Sequence, residues 1–355
     1  MNHINEIGGG YWLSSDVLKE SLSKHHDTFY FCSTSEQHIS TCRSALRFIA
    51  NDFEKRVVLI PVFTCITVID PFLQNDWKVI PYIINCEDLS VDWEDLYQKI
   101  VLEQPSLILF HSLFGFPTVN NPSLITWIRS QGIKVVNDMT CSLLSSFKRI
   151  ESDYTVASIR KWFPIPDGGL FIGDGNKMYI PQQYDKELTE AKIKAFQTKD
   201  AYLSGIDMNK RDMLSLFDKA TIILNSRSQE FAMSPISKSL ITEESVEAAK
   251  NRRRNNYNRL YEHIKKLSYL HLPLSRADKT VVPYMLPVIV KDRSKLQNYL
   301  SSRQVYATVL WTKPEAFSRE NCSLYESILC FPINQCYEME DMDMIGRLLS
   351  VYPNE

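Results

Sequence analysis

The chain has 355 residues, 44% hydrophobic and 23% charged, with a formal net charge of −2. That length supplies a large core and predicts about two domains, and the near-neutral balance gives no basic footprint for nucleic acid. No stretch approaches the roughly 18 unbroken apolar residues of a membrane span, and Met1-Asn2-His3-Ile4-Asn5-Glu6 has neither a basic region nor an apolar signal core, so a cytoplasmic protein is expected.

Gly8-Gly9-Gly10 reads as a flexible N-terminal turn, because it lacks the strand context of a phosphate loop. Residues 37–50 read as a helix, 57–63 as a buried strand, 64–73 as a helix and 77–84 as a second strand. Residues 91–103 form a helix with acids in its first turn, 106–111 a third strand, 123–131 a helix closed by Gly132, and 133–138 a fourth strand. Short apolar runs alternating with helices predict an α/β fold with a mostly parallel sheet wrapped on both faces. An apolar stretch over 154–159 then leads into Lys161 and a turn built from Pro164, Pro166, Gly168 and Gly169. Glycine is scarce, 11 in all, and Gly168, Gly169, Gly173 and Gly175 fall just after the lysine, which marks a demanding turn.

The second half differs. Residues 186–225 are helical and polar, and 243–267 read as one long helix whose Arg252-Arg253-Arg254 run forms a solvated face. The tail alternates: 281–290 apolar, 293–303 helical, 305–311 and 328–332 strand-like, and 340–349 a last helix. The pattern divides into a large α/β domain over 1–240 and a smaller α+β domain over 241–355. No Gly/Ser linker separates them, so a tight interface is expected.

Eight cysteines are present: Cys32, Cys42, Cys65, Cys86, Cys141, Cys322, Cys330 and Cys336. None forms a CxxC pair, so neither zinc nor another metal is expected. A cytoplasmic chain of this size needs no disulfides, and most of the cysteines are expected to be buried small apolar residues.

In open α/β sheets ligands sit outside the carboxyl ends of the strands. The strands here run into Thr64, His111 and Asp138, and the stretch carrying Ser158 and Lys161 adds a further end. One carboxylate, one lysine, a hydroxyl near a helix start and a histidine suit pyridoxal phosphate. Lys161 suits the Schiff base, or aldimine, with the cofactor aldehyde. Asp138 suits the pyridine nitrogen, which it would keep protonated as an electron sink. Ser158 and the helix start at Thr41-Cys42-Arg43-Ser44 are the phosphate candidates. His111 stands at a strand end as a candidate beside the cofactor. Each residue also has a plainer role open to it. Asp138 could cap the next helix, His111 could be a core histidine, and Arg43 could form a surface ion pair.

The chain resembles the DegT/DnrJ/EryC1/StrS family of pyridoxal-phosphate sugar aminotransferases, within fold type I. The matching segments are Thr41-Cys42-Arg43-Ser44-Ala45-Leu46, Pro61-Val62-Phe63-Thr64-Cys65, His111-Ser112-Leu113-Phe114-Gly115, Asn137-Asp138-Met139-Thr140-Cys141-Ser142, and the run from Ser158 to Gly169. Leu329-Cys330-Phe331-Pro332-Ile333 and Glu340-Asp341-Met342-Asp343 resemble the family's last strand and helix.

The resemblance implies that Lys161 is the aldimine lysine, Asp138 the partner of the pyridine nitrogen, and Ser158 with the Cys42-Arg43 turn the phosphate holders. It implies an amino-acid donor, a keto-sugar acceptor, expected to be nucleotide-linked, and a homodimer. The sequence departs from the family at four places. Cys42 and Arg43 stand where Gly and then Ser or Thr are usual. Cys65 stands where an aromatic often stacks on the ring. Cys141 stands where Gln or His is usual. The loop with Asn and Arg that crosses the family's dimer has no counterpart. These departures keep two other readings in view: a pyridoxal-phosphate enzyme of another reaction type, such as a dehydratase or lyase, and a non-catalytic scaffold of the same fold.

Overall fold

The computed structural model describes residues 6–23, 29–31, 35–173, 179–206 and 209–352, so Cys32 and Gly175 lie outside the described residues. After β1 (Ile7–Gly8) and α1 (Ser15–Ser23), the chain enters β2 (Gln37–Ile39) and then α2 (Cys42–Ala50). The apolar runs that follow become β3 (Val57–Pro61), β4 (Lys78–Tyr82), β5 (Leu107–His111) and β6 (Lys134–Asp138). Between them lie α3 (Ile66–Leu73), α4 (Trp93–Glu103) and α5 (Pro122–Ser130); β7 (Tyr154–Ser158) and β8 (Gly169–Gly173) complete the sheet.

These seven strands form one sheet in the order β2-β8-β7-β6-β5-β3-β4. Neighbours from β4 to β7 pair in parallel, while β8 runs antiparallel to both β7 and β2. Successive side chains of a strand point to opposite faces. Leu59, Ile108 and Phe110 therefore enter one apolar cluster, and Val58, Ile60, Leu107 and Leu109 enter the other. This burial on both faces explains why the strands read as unbroken apolar runs.

Residues 37–50 are not one helix. Gln37, His38 and Ile39 pair with Phe171, Leu170 and Gly169 of β8, and Thr41 starts the helix by accepting the Ser44 N–H at 3.2 Å. The strand β8 itself was hidden by its flanking glycines, which suggested only a turn.

The rest of the chain contains α6 (Lys186–Leu203), α7 (Lys210–Ser226), α8 (Pro235–Ser239), α9 (Glu243–Ile264), β9 (Leu286–Ile289), α10 (Arg293–Ser301), β10 (Val305–Tyr306), α11 (Leu324–Ser327), β11 (Ile328–Phe331) and α12 (Met339–Ser350). The helical stretch expected over 186–225 ends first at Leu203, where Gly205 takes a φ of 72°. The strand expected over 305–311 is only two residues long, because β10 pairs with the equally short β1 and then leaves a single bridge, Thr308 to Cys330. Strands β9 and β11 pair antiparallel. The largest apolar cluster joins Leu59, Phe63 and Phe110 of the sheet region to Tyr257, Leu260, Leu286 and Phe331.

The run Arg252-Arg253-Arg254 is not a solvated face. Arg253 is 1% exposed and donates to Gln335, Tyr284 O and the Tyr11 hydroxyl. Arg252 pairs with Glu338, and Arg254 donates to backbone carbonyls of Asp278, Lys279 and Val281. Gly8-Gly9-Gly10 is likewise no loose turn. Its three carbonyls accept from Lys199 Nζ at 3.0, 2.9 and 2.7 Å. Positive φ at all three glycines, 116°, 71° and 84°, turns those carbonyls toward one amine. Among the described residues no helix is long and apolar enough to cross a membrane, and no group of His, Cys, Asp and Glu could hold a metal ion.

Candidate active site

Parallel pairing sets the site. His111 at the end of β5 lies opposite Asp138 at the end of β6, and Asp138 lies opposite Val156 of β7. Ser158 ends β7 and pairs with Gly169. The polar strand ends therefore share one edge, and a cleft opens there, lined by Cys42, Arg43, Cys65, His111, Asp138, Ser158 and Lys161 among others. Cys141 is the one expected residue outside that lining. It is buried within electrostatic reach of Lys161 and Asp138, and burial pushes its thiol up to about 12.

Asp138 is 1% exposed and accepts the Thr140 N–H on Oδ1 at 2.8 Å. This aspartate turn is local, so the carboxylate is held by its own chain two residues on. Asp138 caps no helix. Thr140 then links the site together. Its Oγ1 accepts the Ser158 N–H at 3.1 Å and lies 3.9 Å from Cys42 Sγ, and its carbonyl accepts Trp162 Nε1 at 2.7 Å. Sequence reasoning missed Thr140. The available signal was a small hydroxyl residue two places after a strand-end aspartate.

Lys161 closes a single 3₁₀ turn, Ile159–Lys161, directly after β7. The turn is pinned from inside by Gly168 O, which accepts the N–H groups of Ile159 and Arg160 at 2.9 and 3.3 Å. It is pinned from outside as well. Lys161 O accepts the Tyr11 hydroxyl at 3.3 Å, and Trp162 O accepts Gln335 Nε2 at 2.6 Å. Arg253 joins the two donors and lies 4.6 Å over the Trp162 ring. Tyr11 and Gln335 were not singled out from sequence, and Arg253 was placed on a solvated face.

The helix α2 brings its capped N-terminus to the same cleft. A Cβ on Gly169 would sit 2.5 Å from the Thr41 carbonyl carbon and 2.6 Å from Cys42 N, so β8 and the helix start touch only because residue 169 is glycine. The Cys42 thiol is pushed well above its usual range, by burial first and then by the Asp138 charge. Arg43 stands at the rim, where its Nη2 donates to Asn225 Oδ1 at 3.1 Å. Cys65 precedes α3 and accepts the Thr67 hydroxyl at 3.2 Å. Asp185 and Arg227, joined at 2.6 Å, also line the cleft, as does Trp311, whose ring centroid is 5.7 Å from that of His111.

His111 is 4% exposed, and neither ring nitrogen has a hydrogen-bond partner among the described residues. Burial lowers its pKa, partly opposed by Asp138, so the imidazole is neutral at pH 7. A buried polar ring with no protein partner marks a site shaped for something besides the chain. A flat aromatic ring with a protonated nitrogen and a phosphate arm fits these residues: an anionic carboxylate at Asp138, an amine at Lys161, an unpaired imidazole wall at His111, and a helix N-terminus.

No family model matches the sequence, and no curated protein matches it. Solved structures do. The chain superposes on sugar aminotransferase CalS13 from Micromonospora echinospora with a TM-score of 0.69 at 14% identity, covering 98% of this chain and 100% of that one. Against Helicobacter pylori PseC, an aminotransferase involved in the biosynthesis of pseudoaminic acid, the TM-score is 0.67 at 13% identity, with 98% of each chain covered. A DegT DnrJ EryC1 StrS aminotransferase from Brucella abortus gives 0.63 at 14% identity, over 96% of this chain and 91% of that one. This chain has their fold, fold type I. The mostly parallel sheet flanked by helices that the alternating pattern predicted is the sheet of that fold.

Proposed function

We propose that the chain is a pyridoxal-phosphate-dependent aminotransferase that moves an amino group from an amino acid to a keto sugar, nucleotide-linked. One observation carries the reading. Asp138 and Lys161, 23 positions apart by number, line the same cleft at the carboxyl edge of a sheet whose fold is that of sugar aminotransferases.

Bound pyridoxal phosphate supplies an electron sink. The residues of the chain do the rest. Asp138 has one oxygen held by Thr140 N–H and offers the other to a protonated pyridine nitrogen. Lys161 Nζ would hold the cofactor covalently through its aldehyde and, as a free amine, would serve as the proton carrier at the substrate carbon. General acid–base help of this kind contributes about 10²–10⁴-fold. The first N–H groups of α2 and the Ser158 hydroxyl receive the phosphate. His111 and Trp311 form an apolar-faced wall that keeps water from the reacting carbon. The reading includes a homodimer, to be checked by light scattering.

Purified protein should absorb in the visible range, and borohydride followed by peptide mapping should mark Lys161. Lys161→Ala should lose both the absorbance and turnover; full transamination by that variant would sink the mechanism. A second reading keeps the cofactor and changes the reaction, and Cys65 in the cleft lining with the buried Cys141 favours it. Stoichiometric conversion of the cofactor to its amine form by glutamate would count against that alternative.

A further inference from the structure

Arg253 stands on α9 and is 1% exposed. Its donors are engaged on neutral groups of the chain. Nε donates to Gln335 Oε1 at 3.0 Å, Nη1 to the Tyr284 carbonyl at 2.9 Å, and Nη2 to the Tyr11 hydroxyl at 2.5 Å. The Nε and Nη2 edge, which a carboxylate would grip with two parallel bonds, is thus already taken by Gln335 and Tyr11.

Those two partners act as relays. A guanidinium donates and cannot accept. Tyr11 therefore keeps its one proton for the Lys161 carbonyl, 3.3 Å away. Gln335 turns its amide oxygen to Arg253, which leaves its NH2 group for the Trp162 carbonyl, 2.6 Å away. One fork sets the direction of both bonds, and the bonds end on successive carbonyls. The third contact has the same target, since the guanidinium carbon lies 4.6 Å over the Trp162 ring. Lys161 also borders open space twice. It lines the cleft, and it lines a second chamber together with Tyr11 and Arg253. Packing alone does not fix a residue set between two cavities, so the hold on its peptide decides where the amine lies.

We propose that Arg253 is a positioning residue for Lys161: its guanidinium directs the two hydrogen bonds that hold the carbonyls of residues 161 and 162, and so places the amine in the cleft. The inference rests on the reading of Lys161 as the residue that reacts with pyridoxal phosphate. It adds that a side chain outside the cleft lining governs how well that amine performs.

Full-length protein loaded with pyridoxal phosphate is treated with borohydride first. Marking of Lys161 in the wild type is expected; marking elsewhere overturns the underlying reading, and the proposal with it. The variants then test Arg253 itself. Arg253→Met keeps an unbranched stem beside Trp162 and removes the fork. Its kcat should fall about ten- to hundredfold, as for a reacting group displaced by a fraction of an ångström, while donor KM stays within about threefold. The pH midpoint of the visible band should move by about half a unit or more, because the surroundings of the amine have changed. A lower melting temperature with wild-type kcat and band would make Arg253 a purely structural residue and overturn the proposal. So would a raised donor KM with kcat intact, which would make the guanidinium a substrate contact. Arg253→Lys keeps the charge without the fork and should stay impaired; wild-type kcat in it also overturns the proposal. The relays supply an independent check. In the double variant Tyr11→Phe, Gln335→Met the route is already cut, so adding Arg253→Met should lower kcat by less than about twofold, and a further loss of about tenfold would show another route and overturn it. Should Arg253→Met fail to fold, Gln335→Met alone must show the kcat loss and the shifted band, and wild-type values there overturn the proposal.

Discussion

Tyr11 holds the backbone of Lys161: its hydroxyl donates to the Lys161 carbonyl at 3.3 Å and accepts from Arg253 Nη2 at 2.5 Å. Burial keeps the phenol protonated by raising its pKa well above the usual range, with Arg253 opposing only in part. The lysine's side chain is thus aimed by a peptide fixed from two distant parts of the chain, and its reach into the cleft depends on that fixed peptide.

Tyr11→Phe removes the hydroxyl and leaves a donor of Arg253 and the Lys161 carbonyl without it. Leaving such buried groups unsatisfied costs about 1–3 kcal/mol. Urea unfolding should show that loss. If the enzyme reading holds, kcat should fall while donor KM stays near the wild-type value, because substrate contacts are untouched. Unchanged kcat in a destabilised variant would show that the tyrosine serves stability alone.

Gly169→Ala places a methyl group 2.5 Å from the Thr41 carbonyl carbon and 2.6 Å from Cys42 N, against the backbone that starts the helix. The helix start must move. Overpacking of this kind costs about 1–3 kcal/mol, and the displaced N–H groups should weaken pyridoxal phosphate more than pyridoxal in parallel titrations. Wild-type melting temperature and affinity together would show that the contact between β8 and α2 is looser than described.

Lys199→Met should be strongly destabilising. Lys199 is 3% exposed and its amine satisfies three glycine carbonyls, of which that of Gly8 also accepts the Tyr337 hydroxyl at 3.2 Å. Leaving a buried carbonyl unsatisfied costs about 1–3 kcal/mol, and three lose the amine here. Limited proteolysis should then cut near Gly8-Gly9-Gly10, which the wild type protects.

His38 sets a pH dependence. Burial lowers it from 6.5 to about 4, with Lys238 acting the same way, and its Nε2 has no partner. The ring meets Phe29 edge-on at 4.7 Å. Below pH 6.5 the unfolded chain binds a proton there that the folded chain refuses until about pH 4. Its contribution to stability is therefore full above pH 6.5 and declines as the pH falls toward 4. Urea midpoints measured down this window should fall more steeply in the wild type than in His38→Phe; parallel slopes would refute the assignment.

Much of this fold is visible in the chain because its central strands are covered on both faces. Val57 to Ile60 and Leu107 to Phe110 have no polar side chains to turn outward, so they read as strands without any knowledge of their neighbours. Asp138 and Lys161 stood out for a related reason, as charged residues at the ends of apolar runs. The short edge strands did not. Gln37, His38 and Ile39 are too few to display an alternation, and the glycines of β8 look like turn residues until one sees the helix pressed against them. Arg253 was misread because its partners, Tyr11 and Gln335, lie 242 and 82 positions away, and no local periodicity records a bond of that length. Thr140 escaped notice for the opposite reason. It sits beside a more conspicuous neighbour, and only its bonds distinguish it.

The double anchorage of the Lys161 turn also has a consequence for assembly. Tyr11 leaves the ribosome early and Gln335 near the end. A nascent chain that has emerged only through β8 can build the sheet edge and seat Asp138, yet it lacks Arg253 and Gln335, the groups that steady the peptide around the lysine. The peptide around Lys161 therefore settles only in the last quarter of synthesis, and a product interrupted after β8 would lack both that anchorage and the cleft residues Asp185, Arg227 and Trp311.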